Sequence, residues 1–396
     1  MSAIPRLKPF HGPALFSYGF RPFFLSGAIY AGLAVAIWLP LFFGEISIPT
    51  ALSPIDWHVH EMLYGYLPAI ITGFLLTAIP NWTGRLPLQG VGLAALVALW
   101  LAGRLAVFFS ATIGPLAAGI IDSLFLFTIA VVCAREVVAG RNWRNLAPVG
   151  ILTLFLVGNV AFHLQDHATG QAGFATRLGV AAAIALISLI GGRIVPSFTR
   201  NWLARENPGR LPIPFNRFDI AVMVISAAAL ATWVAAPDWE GTGALAIIAG
   251  TGQAMRVARW AGERTWRDRL VLVLHIAYLF VPGGFFLVAC AIFFPQHVPL
   301  SAGIHLWTVG AIGVMTLAVM TRATLGHTGQ ALSADWLTQA IYTLIVGAAM
   351  LRVAAALAPA FSVPLLCAAA LGWGIAFWLF ALGYGPSLSR PRAKLH

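Results

Sequence analysis

The chain has 396 residues, of which 60% are hydrophobic and only 9% are charged. Soluble domains carry about 25% charged residues, so this composition excludes a soluble protein and indicates a chain that crosses a lipid bilayer several times. The formal net charge of +11 does not favour nucleic acid as a partner, because Lys and Arg also accumulate in cytoplasmic loops. Cys133, Cys290 and Cys367 lie singly in apolar stretches, which predicts neither a disulfide framework nor a thiolate metal site.

Apolar stretches long enough to cross the hydrocarbon core as helices, about twenty residues each, recur along the whole chain. In chain order they are residues 21–43, 61–80, 89–109, 113–133, 147–164, 174–195, 218–236, 241–259, 270–293, 303–325, 336–357 and 361–384. The sequence therefore predicts an all-α fold, a polytopic transmembrane helical bundle of about 12 helices. Because the connections are short and lack Gly/Ser-rich linkers, residues 1–396 are predicted to form a single membrane domain.

Basic residues are distributed unevenly over the predicted loops. When loops alternate between the two sides of the membrane from a cytoplasmic N-terminus, all but three of the 24 Lys and Arg residues fall on the inner side. Positive charge favours the cytoplasmic side of a membrane protein. We therefore predict that both termini are cytoplasmic, with a segment at residues 1–20, helices within 21–384 and a tail at 385–396.

Histidines are concentrated in the outer layer that this topology defines. The motif Asp56-Trp57-His58-Val59-His60-Glu61 lies at the outer mouth of the second helix, His163 near the outer end of the fifth, and His305 in the first turn of the tenth. Ionisable groups in apolar spans are costly and commonly serve as metal ligands or proton carriers. We predict an outer cofactor site formed by His60, His163 and His305, with Glu61 as a supporting carboxylate. His58 is a further candidate metal ligand, although snorkelling to the interface is the favoured interpretation of that side chain.

Three arginines, Arg104, Arg177 and Arg352, break the inward bias and belong to the same outer layer. A guanidinium can pair with a carboxylate through two hydrogen bonds, so these arginines are candidate partners of haem propionates. The alternative is that they snorkel to outer lipid phosphates. Asp122 is the only carboxylate predicted deep in the bilayer; it is expected to be protonated, paired with an arginine, or part of a proton path.

A second group of polar residues lies at the inner side. It contains His275, within an otherwise apolar ninth helix, and His327, after the tenth. These two histidines are candidates for a second metal or haem site. Other residues of this inner group are Asn81, Trp82, Arg193 and Arg322. Helix caps and charges that face anionic lipid headgroups are the alternative interpretation.

The inner ends of every fourth helix resemble one another weakly. The second predicted helix ends in Pro80-Asn81-Trp82-Thr83 and the sixth in Pro196-Ser197-Phe198-Thr199, whereas the tenth ends in Thr321-Arg322 and matches only in being polar. This pattern is consistent with a unit of four helices that occurs three times. Phosphate-binding glycine loops such as GxxxxGK[ST] do not occur, which argues against nucleotide use by this chain.

Six motifs, spread in order over nearly the whole chain, make the sequence similar to the NnrS family of bacterial membrane proteins. They are Phe20-Arg21-Pro22-Phe23-Phe24, Trp57-His58-Val59-His60-Glu61-Met62, residues 73–84, residues 191–199, residues 305–313 and residues 320–329. The resemblance implies haem and copper as cofactors, a place in the bacterial inner membrane, and a role in the nitric oxide response linked to denitrification. Gln330 departs from the pattern, since a basic residue is expected there.

The resemblance leaves the activity open. The protein is expected to bind, sense or turn over nitric oxide, or to protect iron metabolism, and the sequence does not decide whether it is a metal-dependent oxidoreductase. Its expected partners are the lipid bilayer and nitric oxide or a related small molecule, without nucleic acid. The alternative is a secondary transporter of a small molecule or of a metal or haem species, although the two halves show no matching interrupted helices.

Overall fold

The structure is a computed structural model that describes residues 10–391. All regular secondary structure in this part of the chain is helical, and it contains no strand, which confirms the all-α prediction. Residues 1–9 of the predicted N-terminal segment and residues 392–396 of the predicted tail lie outside the described residues.

Twelve long helices, α1 to α12, follow one another along residues 10–391. Their bounds are Phe20–Phe42, Pro54–Thr83, Gly90–Phe108, Pro115–Ala139, Leu146–Thr169, Gly173–Glu206, Arg217–Ala235, Glu240–Ala258, Arg269–Phe293, Leu300–Thr328, Trp336–Leu357 and Ser362–Ser389. Each corresponds to one predicted stretch. α12 continues five residues into the predicted tail, since it ends at Ser389 rather than before residue 385.

Two helices are much longer than their apolar stretches. α2 begins at Pro54 because Ser53 caps it: the Ser53 side chain accepts a hydrogen bond from the Asp56 backbone N–H at 3.1 Å, and proline fits the first turn. The motif with His58 and His60 is therefore already helical. α6 continues to Glu206 as a polar extension beyond the apolar stretch that ended at residue 195.

Eleven of these helices are long and apolar enough to cross a membrane, within the part of the chain that the structure describes. This confirms a multi-pass membrane protein, while the side on which the termini lie stays a prediction. The helix that does not qualify is α8, whose C-terminal half contains Gln253 and Arg256, both fully buried. A helix that carries such groups must bury them against polar partners.

Three helices change to π-helical geometry for part of their length. The π-helical segments are Glu61–Tyr66 in α2, Ile187–Gly191 in α6 and Leu306–Val314 in α10. Such segments are rare and occur frequently at functional sites. Their recurrence in every fourth helix supports the repeat that the helix ends indicate in the sequence.

The chain divides into two compact units. The first unit comprises Met1–Gly179, Thr324–Gln330 and Phe380–His396, and the second comprises Val180–Ala323 and Ala331–Leu379. In the first unit, α4 packs against α2, α3 and α5. In the second unit, α9 packs against α8 and α10, and Trp233 lies edge-on to Trp307 in the core. The single membrane domain stays a prediction.

Candidate metal centre

The centre of the first unit contains a fully buried histidine and its neighbouring glutamate. His60 and Glu61 are both 0% exposed, and the His60 Nδ1 atom lies 3.0 Å from Glu61 Oε1. Consecutive residues do not face each other on a regular α-helix. Here the π-helical segment begins at Glu61, where this contact is made.

Two further helices bring a carboxylate and a second imidazole to His60. Asp122 Oδ2, from α4, lies 3.2 Å from His60 Nε2 and 3.1 Å from His163 Nε2 of α5. The two Nε2 atoms are 3.2 Å apart. The three side chains thus offer three potential ligand atoms that all lie within 4.8 Å of one another.

Arg104 joins the two carboxylates of this cluster. Its Nη1 atom donates to Glu61 Oε2 at 2.5 Å, its Nη2 atom donates to Asp122 Oδ1, and the guanidinium is 5% exposed. Tyr30 of α1 donates its hydroxyl to the same oxygen of Glu61. Gly65 allows this arrangement, because a Cβ atom there would lie only 2.8 Å from Glu61 Oε2 and 3.0 Å from Arg104 Cζ.

Asn159 and Phe162 complete the surroundings of the two histidines. The Asn159 side chain donates to Asp122 Oδ2 at 2.7 Å, and its Oδ1 atom lies 3.0 Å from His60 Nε2. Phe162 lies edge-on to the His60 ring at 5.2 Å. Together these contacts enclose the imidazole of His60, which is 0% exposed.

The cluster needs a cation between its two imidazoles. Glu61 can only accept when it is ionised, so the Nδ1–H of His60 donates to Glu61, and the lone pair of Nε2 then faces the Asp122 carboxylate. Two carboxylates and one guanidinium leave one negative charge uncompensated at this site. A proton or a metal ion among His60 Nε2, His163 Nε2 and Asp122 Oδ2 restores the balance.

The donor set fits a single transition-metal ion. Two imidazole nitrogens and one carboxylate oxygen are suitable ligands for copper, iron and zinc. A haem does not fit between these histidines. Imidazole–metal bonds measure about 2.0–2.1 Å, so two axial nitrogens would be about 4 Å apart with a flat ring between them, whereas here they are 3.2 Å apart and both contact Asp122.

The structure brings together four of the residues that the sequence predicts for the outer site: His60, Glu61, His163 and Arg104. The partner of Arg104 differs from the predicted haem propionate, because its two terminal nitrogens donate to carboxylates of the chain itself. Asp122 has the arginine partner that was one of its three predicted states. It is also a potential ligand, which the sequence did not indicate.

The other predicted outer residues make different contacts. His305 belongs to the second unit, where its Nδ1 atom lies 2.7 Å from the carbonyl oxygen of Ser301, one turn earlier. His58 stacks on Trp38, with the ring centres 4.0 Å apart. Arg177 and Arg352 are half-buried. Their roles at a cofactor stay predictions.

The predicted inner histidines fall in different units. His275 is 4% exposed in the second unit and its Nε2 atom lies 2.8 Å from the Thr199 hydroxyl. His327 is exposed in the first unit and stacks on Tyr18, with the ring centres 5.9 Å apart. A cofactor at either histidine stays a prediction.

Two of the polar residues predicted around the inner histidines, Asn81 and Trp82, lie in the last turn of α2. Arg193 and Arg322 lie inside α6 and α10. Arg322 lies over the Phe198 ring at 4.3 Å, and Arg193 is exposed. Asn81 donates to the carbonyl oxygen of Thr77 at 3.2 Å, and the carbonyl of Trp82 accepts from Asn142 at 2.5 Å.

Sequence reasoning missed two residues of the cluster, Asn159 and Tyr30. Asn159 precedes His163 by four residues, a spacing that places both on one face of a helix, and that signal could have found it. Tyr30 carries no such signal, since a single tyrosine in an apolar helix is unremarkable in sequence.

A family model described as NnrS protein matches residues 14–392 of this chain, which is nearly its whole length. No curated protein is similar enough to match it.

Proposed function

We propose, from the premise that this chain belongs to the NnrS family, that it binds copper at His60, His163 and Asp122 and acts in the nitric oxide response of the bacterial inner membrane. The observation that carries the proposal is the set of three ligand atoms within 4.8 Å of one another, two of them on buried residues and one on the partly buried His163. Family resemblance supports copper and nitric oxide, and the geometry supports the choice of residues.

The surrounding side chains would hold the ligands in position. Glu61 accepts the Nδ1 proton of His60 and so directs the Nε2 lone pair toward the ion, an arrangement that raises ligand basicity in metal proteins. Arg104 fixes Glu61 and Asp122 at once, and Asn159 fixes Asp122 from the other side. These hydrogen bonds would hold the ligand atoms in place by contacts of the protein alone.

A copper ion at this position would supply one-electron chemistry and an affinity for small diatomic ligands. The protein contributes a dry environment, because His60, Glu61 and Asp122 are each at most 2% exposed. Nitric oxide is small and uncharged, so it can reach such a site through the hydrocarbon layer. Water and ions are excluded from the same route.

Haem, the second cofactor that the family implies, needs a different place in the chain. His305 is the candidate that we retain. Its Nδ1–H donates to the Ser301 carbonyl at 2.7 Å, which places the lone pair on Nε2, the tautomer of metal-binding histidines whose other nitrogen is held by a backbone carbonyl.

The test is the copper content of the purified full-length protein, measured by mass spectrometry beside its haem absorption. His60→Ala and His163→Ala should each lose the copper while the haem band persists. His167→Ala is the matched control, because His167 lies one turn further along α5 and is exposed; it should retain copper. Unchanged copper in folded His60→Ala and His163→Ala proteins would show that the ion binds elsewhere.

A further inference from the structure

The second unit contains a buried polar cluster of its own, centred on Arg256 in the last turn of α8. Arg256 is 0% exposed. Its Nε atom donates to Asp219 Oδ1 at 3.1 Å, and its Nη1 atom donates to the Tyr278 hydroxyl at 2.9 Å and to Gln253 Oε1 at 3.2 Å. None of these contacts involves the other terminal nitrogen, Nη2.

The Nη2 atom of Arg256 is buried and has no hydrogen-bond partner among the described residues. Arginine carries five N–H donors, two of them on Nη2. A guanidinium binds an anion with two hydrogen bonds either through Nη1 and Nη2 or through Nε and Nη2, and both of these edges include Nη2. The two N–H groups on Arg256 Nη2 are therefore strong, desolvated donors that no described residue of the chain satisfies.

The charges around Arg256 are also unbalanced. Asp219 is the carboxylate that contacts it, and the same carboxylate accepts from Arg259 Nη1 at 3.3 Å. Asp219 Oδ2 accepts in addition from the Asn216 backbone N–H at the start of α7. One negative charge thus serves two guanidiniums, of which that of Arg256 is fully buried and that of Arg259 is partly exposed.

The π-helical segment of α6 approaches this guanidinium. The Ser188 carbonyl accepts from Arg256 Nη1 at 3.4 Å. The Ser188 hydroxyl is buried near the Tyr278 hydroxyl, yet it makes no hydrogen bond of normal geometry in the described chain. Gly192 follows the segment, and a Cβ atom there would clash with Arg256 Nη2 and lie 3.1 Å from Arg256 Cζ, so glycine is what allows the guanidinium to lie against the helix.

We propose that a small monovalent anion, such as a halide or nitrate, binds at Arg256 Nη2 with the Ser188 hydroxyl as a second donor. Two unsatisfied donors and one excess positive charge favour an anion over a neutral molecule. The close approach of α6 at Gly192 restricts the ligand to a few atoms. The site lies in the second unit and does not depend on the metal proposed for the first.

The experiment measures thermal unfolding of the full-length protein in detergent across concentrations of sodium bromide and sodium nitrate. Sodium gluconate holds the ionic strength constant, since gluconate is too large for the site. The wild type and Arg210→Gln should show a saturable rise of the midpoint; Arg210 is the control because its partner Glu263 is exposed. Ser188→Ala should require at least about tenfold more anion, the lower end of the effect of losing one hydrogen bond to a charged group, and Arg256→Gln should not respond.

A second measurement keeps the proposal testable if Arg256→Gln does not fold. Crystals of the wild type grown in bromide should give an anomalous peak beside Arg256 Nη2, and crystals of Ser188→Ala a weaker one. A map with only water at Nη2 would overturn the proposal. So would a midpoint that rises without saturation and equally in the wild type and Ser188→Ala.

Discussion

Replacing Arg104 by Met removes one cation from between two buried carboxylates and tests how the candidate metal centre is held together. Glu61 and Asp122 would then be left without a guanidinium at 0% and 2% exposure. Removing one partner of a buried ion pair costs about 3–5 kcal/mol, and here a single cation serves both carboxylates, so we expect the upper part of that range. With roughly 2 °C of Tm per kcal/mol in a large chain, the apo protein should lose on the order of 10 °C.

The control is Arg85→Gln. Arg85 pairs with Glu136, but its side chain is 45% exposed, and exposed ion pairs contribute about 0.2–1 kcal/mol. The midpoint of thermal unfolding should therefore fall by only about 2 °C or less. Each variant removes one arginine that pairs with a carboxylate. The difference between their unfolding midpoints therefore measures the effect of burying the ion pair.

Added copper should reduce the cost of Arg104→Met, because the ion brings positive charge to the same carboxylates. The double variant with Glu61→Gln should also recover part of the loss, since it leaves one buried carboxylate rather than two. If Arg104→Met is no more destabilising than Arg85→Gln in apo protein, the two carboxylates are not both ionised and the charge balance argued for the site is wrong.

Three further predictions follow from the topology, the second cofactor and the helix geometry. Reporter fusions after Gln171 should report the periplasm and those after Glu263 the cytoplasm; the same side for both would contradict the alternating topology. His305→Ala should abolish the haem absorption band without lowering copper content, and loss of both together would refute separate sites. Deleting Met62, inside the π-helical segment of α2, should rotate His60 by about 100° relative to the rest of the helix and remove copper, which retained copper would contradict.

The helices could be predicted from sequence because length and apolarity alone decide which segments can cross a membrane. The predicted and observed limits of α11 are the same, residues 336–357. The start of α2 was missed because Asp56, His58 and His60 lower its local hydropathy, although the Ser53 cap and Pro54 carry a readable start signal. A prediction from hydropathy alone thus places the start of a membrane helix too late when its first residues are polar.

The candidate site could be predicted only in part. His60 and His163 were found because imidazoles are conspicuous in apolar helices, and a common depth follows from counting residues along each helix. Which face each helix turns inward does not follow, because helices that are apolar all round show no periodicity. The contact of Arg104 with Asp122, eighteen residues apart on neighbouring helices, depends on that rotation, and a propionate partner was therefore the expectation.

The three π-helical segments explain why rotation matters in this chain. An extra residue in one turn changes which side chains face the core on either side of it, at the cost of weaker hydrogen bonding along the helix. In α2 the segment begins at Glu61, beside the buried His60; in α6 it contains Ser188, which meets Arg256; in α10 it begins directly after His305. An irregularity of this kind persists when buried polar contacts offset its cost. The same irregularity in every fourth helix is consistent with an ancestral four-helix unit whose irregular turn acquired a proposed metal ligand, an arginine contact and a candidate haem ligand in its three copies.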